Sequence, residues 1–399
     1  MNNQEWIAKE EKHCAHNYHP LPIVLTKGQG VWLWDIEGKR YLDMMSAYSA
    51  ISLGHSHPKL ISVLKEQAER LCVVSRAFHA DTLQPFLEKL CTVSGMDMAL
   101  PMNSGAEAVE TALKAARRFG YEQKSIPDNQ GEIIVARDNF HGRTISIISF
   151  STEKAYQEHF GPLTPGFVTI PFGNSEALKR AITQNTCAFL VEPIQGEAGI
   201  QIPPKGWLKE CEEICRAENI LFILDEIQSG LGRTGKMFAF EHEDVQPDGL
   251  ILGKALGGGI LPVSAFLARK EVMDVFAPGT HGSTFGGNPL AAKIGLATLG
   301  VFEDEDIVKN SFEMGNILLQ ALRTIKHPLI KEVRGRGLWI GVEINKPNVA
   351  RAICEKMMTL GVLAKETHDT VIRFAPPLII KENEIDFAVA QFAKALEEF

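Results

Sequence analysis

The chain has 399 residues, 45% hydrophobic and 23% charged, and its 41 Lys and Arg against 49 Asp and Glu leave a formal charge of −8. This is the composition of a globular chain long enough for two or three domains. Without a Lys/Arg block it lacks the cationic footprint that phosphate backbones require, and no apolar run is long enough to span a bilayer, so neither nucleic acid nor membrane is an expected partner.

The opening MNNQEWIAKEEK matches neither a secretory signal nor an Arg-rich transit peptide, so a cytoplasmic protein is expected. Next, GVWLWDIEGKRYLDM places aromatic and β-branched residues on either side of Glu37-Gly38, the pattern of a two-stranded hairpin. From there to about Ala297, short apolar runs alternate with amphipathic stretches. That alternation predicts an α/β architecture around a mostly parallel sheet buried on both faces. The clearest runs are 133–136, 188–191, 220–224 and 249–252, with helices at 106–120 and 206–217 among them. Beyond Ala297 the chain becomes helix-rich and charged, with a hairpin-like VRGRGLWIGVEI and a final amphipathic helix. The expected division is an N-terminal segment, 1–48, packing with a smaller C-terminal α+β domain, 298–399, and a large domain, 49–297, between them.

Seven cysteines, an odd number scattered along a long chain, fit free thiols better than a disulfide framework. Cys211 and Cys215 sit four apart, as metal ligands can. Trp207, Leu208, Cys211, Ile214 and Cys215 nevertheless trace one apolar helical face, which points to core packing and to no metal.

In open α/β sheets ligands bind beyond the carboxyl ends of the strands, so the residues that directly follow each run are the candidates for chemistry. One run ends in Asp225-Glu-Ile-Gln228. A buried Asp requires a partner, either a ligand or a helix start, since Asp-x-x-Gln also resembles a capping box. Another ends in Gly253-Lys254-Ala-Leu-Gly-Gly-Gly259, and a lysine desolvated among glycines is a usable amine nucleophile. A Schiff-base lysine with an aspartate facing a pyridinium nitrogen is the pair that pyridoxal phosphate needs. Its phosphate finds a candidate cradle at Asn103-Ser104-Gly105-Ala106-Glu107, which opens a helix with free backbone N–H groups. His281-Gly-Ser283-Thr284-Phe-Gly-Gly-Asn288-Pro289 offers two more hydroxyls ahead of a Pro-terminated turn. Phe140-His141-Gly142-Arg143 supplies a ring to lie on a cofactor and a guanidinium to clamp a carboxylate. Glu192 and Glu197 close a further strand. Arg373, within an apolar strand, wants a carboxylate, and Glu197 is one candidate.

In their order and joint presence these motifs resemble the class III, fold-type-I pyridoxal-phosphate aminotransferases, from about Ala15 to the C-terminus. Asn17-Tyr18-His19-Pro20, Ser46-Ala47-Tyr48-Ser49-Ala50 and Gly54-His55-Ser-His57-Pro58 are most similar to the ornithine-using members, where the two histidines are structural. The resemblance implies that Lys254 carries the Schiff base and shuttles the proton, Asp225 keeps the pyridine nitrogen protonated, Gln228 bonds the phenolic oxygen and Phe140 stacks on the ring. Ser104, Gly105 and Ala106 would hold the phosphate with Ser283 and Thr284, Thr284 acting from the neighbouring subunit of a homodimer with shared sites.

It further implies that Tyr18 and Arg143 hold the α-amino acid end of L-ornithine while Tyr48 steers its δ-amine. Glu197 would neutralise Arg373 in the first half-reaction and release it for 2-oxoglutarate in the second. Position 141 is His, as in much of the wider class, where ornithine-using members often carry Trp. Two alternatives belong to other functions: an ω-aminotransferase for acetylornithine or 4-aminobutyrate, whose acetylornithine members look aliphatic or small at the Tyr48 position, and a non-catalytic cofactor-binding regulator, which would need a DNA-binding module. A nicotinamide enzyme would need a Gly-x-Gly-x-x-Gly turn; here Gly257-Gly258-Gly259 follows a lysine instead.

Overall fold

The apolar runs of the middle of the chain pair into one seven-stranded sheet, in the spatial order Met98–Met102, Ser264–Ala268, Gly249–Leu252, Leu221–Asp225, Thr186–Val191, Glu132–Ala136, Phe167–Ile170. The structure is a computed structural model and describes residues 1–399. The five strands from Gly249–Leu252 to Phe167–Ile170 are parallel, and Ser264–Ala268 runs antiparallel to both of its neighbours.

Side chains alternate across each strand, and the alternation divides the apolar residues between two cores. Ile133, Val135, Ala188, Leu190, Leu221, Ile223 and Ile251 pack with Ala108, Val109 and Ala112 of the helix Gly105–Gln123. Ile134, Phe189, Phe222, Leu224, Leu250 and Leu252 face the other way and join Trp207, Leu208, Cys211 and Cys215 of the helix Trp207–Ala217. Burial on both faces is what lets these strands be apolar throughout. Both cysteines are free and buried, as the apolar-face reading expected.

The hairpin around Glu37-Gly38 consists of Trp32–Asp35 and Arg40–Asp43, its turn closed by Asp35 Oδ1, which accepts from the Glu37 and Lys39 amides. Leu25–Gln29 extends it, and Val362–Leu363 joins it in parallel beside Leu42–Asp43, so the N-terminal segment is hydrogen-bonded to the C-terminal part. A third sheet, antiparallel, takes Ile330–Gly335, Ile340–Ile344, Val371–Phe374 and Lys365–Thr367. Within it Gly341 lies opposite Arg373, and a Cβ on Gly341 would sit 3.1 Å from the Gly199 carbonyl oxygen. The missing side chain lets this sheet close on the loop that carries Glu197. The segment after Thr284 differs from its expected form: Pro289 opens the sixteen-residue helix Pro289–Asp304, capped by Asn288, because proline is favoured in a first helical turn.

Two helical glycines test this packing in opposite directions. A Cβ on Gly300 would meet nothing nearer than Lys59 Nζ at 3.8 Å, whereas one on Gly315 would lie 2.2 Å from the backbone carbon of Gly337. In thermal unfolding Gly300→Ala should therefore stabilise by about 0.5–1 kcal/mol. Gly315→Ala should destabilise by about 1–3 kcal/mol despite the better helix former.

Candidate active site

The carboxyl ends of the parallel strands converge on a cavity of about 150 Å³ lined by Gly105, Ala106, Phe140, His141, Gly142, Glu192, Ile194, Asp225, Ile227, Gln228, Ser229 and Lys254. A larger cleft, about 610 Å³, lies beside Leu221, Phe222 and Asp248 at the opposite ends of the strands. Glu212 and Asp248 there are already paired, with Lys209, Arg216 and Arg269. Of the two, the smaller cavity holds Gly105, Ala106, Phe140, Asp225, Gln228 and Lys254 from the sequence-derived candidates.

Asp225 is the last residue of its strand and is buried. It does not cap a helix: Oδ1 accepts from the Ile227 amide at 3.0 Å, and Oδ2 meets Nδ1 of the fully buried His141 at 2.6 Å. Burial alone would push the imidazolium down, yet the hydrogen bond and charge of Asp225, with Glu192 nearby, hold His141 above its ordinary value. Glu192 itself is raised by burial to about 7, against the pull of His141 and of the Phe140 and Gly196 amides that it accepts. His141 Nε2 has no partner.

Lys254 lies two residues past the end of its strand, after Gly253, in a left-handed conformation, φ 42°. Strained backbone of this kind persists only where the surroundings enforce it, and it is concentrated at functional sites. Burial lowers the Lys254 ammonium, opposed by the charges of Glu197 and Asp225. Across the cavity, Ser104 and Glu107 form a reciprocal capping box at the start of the helix Gly105–Gln123. The box occupies the Glu107 amide and leaves the Gly105 and Ala106 amides without a hydrogen-bond acceptor at the cavity wall. Asn103 Nδ2 donates to Ser283 Oγ at 2.9 Å, which sets the 281–288 loop beside this helix start. Thr284 on that loop is exposed.

The outer edge of the site is built by the small sheets. Arg373 is buried, and its Nη1 donates to Glu197 Oε1 at 2.7 Å, while Gln228 Nε2 reaches the same oxygen at 3.4 Å. The Tyr48 ring lies 4.8 Å from the Arg373 guanidinium, and burial pushes its phenol up. Tyr48 sits in a single left-handed turn: Ser46, Ala47, Tyr48 and Ser49 have φ of 43°, 46°, 58° and 74°, with no glycine among them. Each such residue costs roughly 1–2 kcal/mol. Tyr18 is exposed, near enough to Tyr48 for the two phenols to interact electrostatically.

Arg143 is exposed, makes no ion pair, and lies over the rings of Tyr156 at 3.5 Å and Phe140 at 5.5 Å. Tyr156, which packs against both Phe140 and Arg143, is a neighbour of the site that sequence reasoning missed. It lies in a polar stretch, and its aromatic ring there is the only local signal. His55 and His57 are each paired with a carboxylate, Asp43 at 2.8 Å and Glu305 at 3.2 Å.

The geometry is thus a desolvated lysine, a buried histidine-backed aspartate and an anion-ready helix start around one cavity, with a guanidinium–carboxylate pair at its edge. The family model "Aminotransferase class-III" matches residues 13–396, and the chain belongs to that family. Among its relatives are proteins named ornithine aminotransferase from Halalkalibacterium halodurans, 58% identical over 98% of both chains, and from Brevibacillus brevis, 56% identical over 98% of this chain and 97% of that one. Of solved structures, an ornithine aminotransferase from Toxoplasma gondii, described with partial occupancy of PLP at its active site, superposes with a TM-score of 0.98 at 42% identity, covering 100% of this chain and 94% of that one. An acetylornithine aminotransferase from Elizabethkingia anophelis superposes with a TM-score of 0.92 at 46% identity, covering 100% of both. The fold alone therefore does not separate the two donors.

The buried Glu192 generates a pH prediction. A carboxyl raised from 4.5 to about 7 in the folded state binds a proton that the unfolded chain has lost, so its contribution to stability is full below pH 4.5 and declines as pH rises through 7. Glu192→Gln, which keeps one of the two amide bonds and cannot titrate, should flatten the fall in melting temperature between pH 5 and 7.5. An unchanged slope would mean that Glu192 titrates normally.

Proposed function

We propose that this enzyme uses pyridoxal phosphate to move the δ-amino group of L-ornithine to 2-oxoglutarate, giving glutamate 5-semialdehyde and glutamate. The observation that carries the reading is the Glu197–Arg373 pair beneath Tyr48 at the mouth of the lysine cavity. The names of the relatives that match nearly the whole chain point the same way.

The cavity suits the cofactor. Two unengaged amides at a helix start are a phosphate site. A Cβ at Gly105 would meet Ile227 at 2.9 Å, and one at Gly142 would meet Ala106 at 3.1 Å, so both glycines let the cavity's walls pack closely on one another. Bound pyridoxal phosphate supplies an electron sink and a carrier for the amino group. Gly105, Ala106 and Ser104, with Ser283, would hold its phosphate end, while Phe140 would cover the ring and Gln228 would bond the phenolic oxygen. Asp225 holds the proton on the pyridine nitrogen, and His141, bonded to its other side, fixes the carboxylate's orientation. Lys254 Nζ, less basic than an ordinary lysine, would hold the cofactor at its aldehyde carbon and, once the incoming amine has taken that place, would be free to take and return the proton at the substrate's amine-bearing carbon.

Tyr18 and Arg143 orient the α-amino acid end of ornithine, and Tyr48 fills the space that directs the δ-amine inward. Glu197 cancels the Arg373 charge while a cationic donor is present, because a bare guanidinium would repel it. Released from Glu197, Arg373 binds one carboxylate of 2-oxoglutarate, and Arg143 binds the other. Thr284, exposed on its loop, would reach the phosphate of a second subunit in the homodimer that the family resemblance implies. The seven free cysteines favour a reducing compartment, the cytoplasm. The 1–48, 49–297 and 298–399 division remains the proposed domain plan, supported by the separate large sheet.

Two experiments test this reading. Lys254→Ala should lose both the visible absorbance of the reconstituted protein and turnover; retention of both would remove Lys254 from its role. Tyr48→Ile should lower kcat/KM for ornithine relative to N-acetylornithine by roughly tenfold, the effect of a misfit of about 1.4 kcal/mol. An unchanged ratio would remove Tyr48 from the specificity argument.

A further inference from the structure

Arg233 is among the largest fully buried side chains, yet no carboxylate lies within ion-pair distance of it, and its Nε has no partner. Burial lowers its pKa to about 9, with Asp43 opposing from a distance. A buried cation of this kind is replaceable, as far as packing goes, by an apolar side chain of similar volume, so its geometry is what needs explaining. Nη1 donates to the carbonyl oxygens of Leu338 and Pro376, at 2.9 and 2.6 Å. Nη2 donates to the hydroxyl oxygens of Ser46 and Ser52, at 3.1 and 3.2 Å.

Those acceptors flank the outer edge of the site. Ser46 starts the left-handed turn two residues before Tyr48, and Pro376 lies three residues beyond Arg373. Ser46 Oγ also donates to the Ala375 carbonyl at 2.6 Å, so Ser46 and the chain just past Arg373 are bonded to one another as well as to Arg233. The near side of the turn is held separately. Asp43 Oδ1 accepts from the Met45 and Ser46 amides, both at 2.8 Å, and its Oδ2 meets His55. Four consecutive positive φ values in Ser-Ala-Tyr-Ser are unfavourable for the isolated segment, so its shape has to come from these contacts.

We propose that Arg233 is a positioning residue for donor recognition: through Ser46, Ser52 and Pro376 it fixes the left-handed turn against the Arg373 strand, so that Tyr48 lies over the Arg373–Glu197 pair. The proposal rests on the reading of Tyr48 as the donor selector only where donor choice is concerned. Its structural half stands on the turn itself.

The experiment uses the holoenzyme and two readouts. The first is the rate at which phenylglyoxal modifies Arg373, followed by peptide mass, which does not depend on the identity of the donor. Ser46→Ala and Ser52→Ala each remove one acceptor of Arg233, and Arg233→Lys keeps the charge without the fork. If Arg233→Lys fails to fold, the two serine variants carry the test. Modification of Arg373 should rise roughly fivefold to tenfold in Ser52→Ala, the scale of one lost buried hydrogen bond, and at least as far in Ser46→Ala, which also loses the bond to Ala375, approaching the rate in Tyr48→Ala.

The second readout is the kcat/KM ratio of ornithine to N-acetylornithine, which should fall in Ser46→Ala and show no further change when Ser46→Ala is added to Tyr48→Ala. A purely structural role would lower the melting temperature and leave Arg373 reactivity where it was. Unchanged reactivity in Ser46→Ala, or a selectivity loss that persists without the Tyr48 ring, overturns the proposal. A faster modification of Arg373 combined with a donor ratio unmoved by Tyr48→Ala supports the positioning and instead sinks Tyr48 as the selector.

Discussion

A carboxylate buried at the carboxyl end of the central strand has to be compensated, and the rest of the cavity is arranged around how Asp225 is. His141 meets one oxygen at 2.6 Å and the Ile227 amide meets the other, so the carboxylate is fixed on two sides. The histidine comes from the loop after Glu132–Ala136, two strands away, and the same loop carries Phe140 and Arg143. One buried bond therefore ties Phe140, Arg143 and the strand end together. Glu192, at the end of the strand between them, completes a layer of three titratable groups whose charges are interdependent.

The second electrostatic centre is built differently. Arg373 enters from an antiparallel sheet outside the large one, and its partner Glu197 comes from a loop of the large sheet, joined at 2.7 Å. Because the two side chains belong to separate sheets, a small relative movement can break their bond without disturbing either backbone. Gln228, within reach of Glu197, links this centre to the Asp225 turn. The Lys254 amine feels both centres: Glu197 and Asp225 raise its basicity while Arg373 and burial lower it.

The large sheet and the reactive residues were readable because both are local. Asp225, Gln228 and Lys254 stand within four residues of an apolar run, and strand ends are where an α/β sheet places ligands. The helix opening at Gly105 carried its own signature in Ser104 and Glu107. What escaped notice depends on distant partners. The run Ser264–Ala268 looks like its parallel neighbours, and only its pairing with Met98–Met102 shows that it runs the other way. The turn at Ser46–Ser49 has no glycine to announce positive φ, since its shape comes from Asp43, Arg233 and Ala375. Tyr156 became visible only as the ring beneath Arg143.

That turn also sets an order on how the molecule can be made. The bond from Ser46 to Ala375 spans 329 positions, and the strand Leu42–Asp43 waits for Val362–Leu363 to lie beside it. At ribosomal speeds of about 5–20 residues per second, the partners of the first fifty residues emerge roughly 15–65 s after them. Strands 98–268 can pair during that interval, since none of them needs the C-terminal part. A nascent chain thus assembles the lysine cavity first and shuts its outer rim last, when the final sheet arrives. Until then the aromatic hairpin with Trp32 and Trp34 has nothing to rest on, and its open edge is the stretch that chaperones would have to shield.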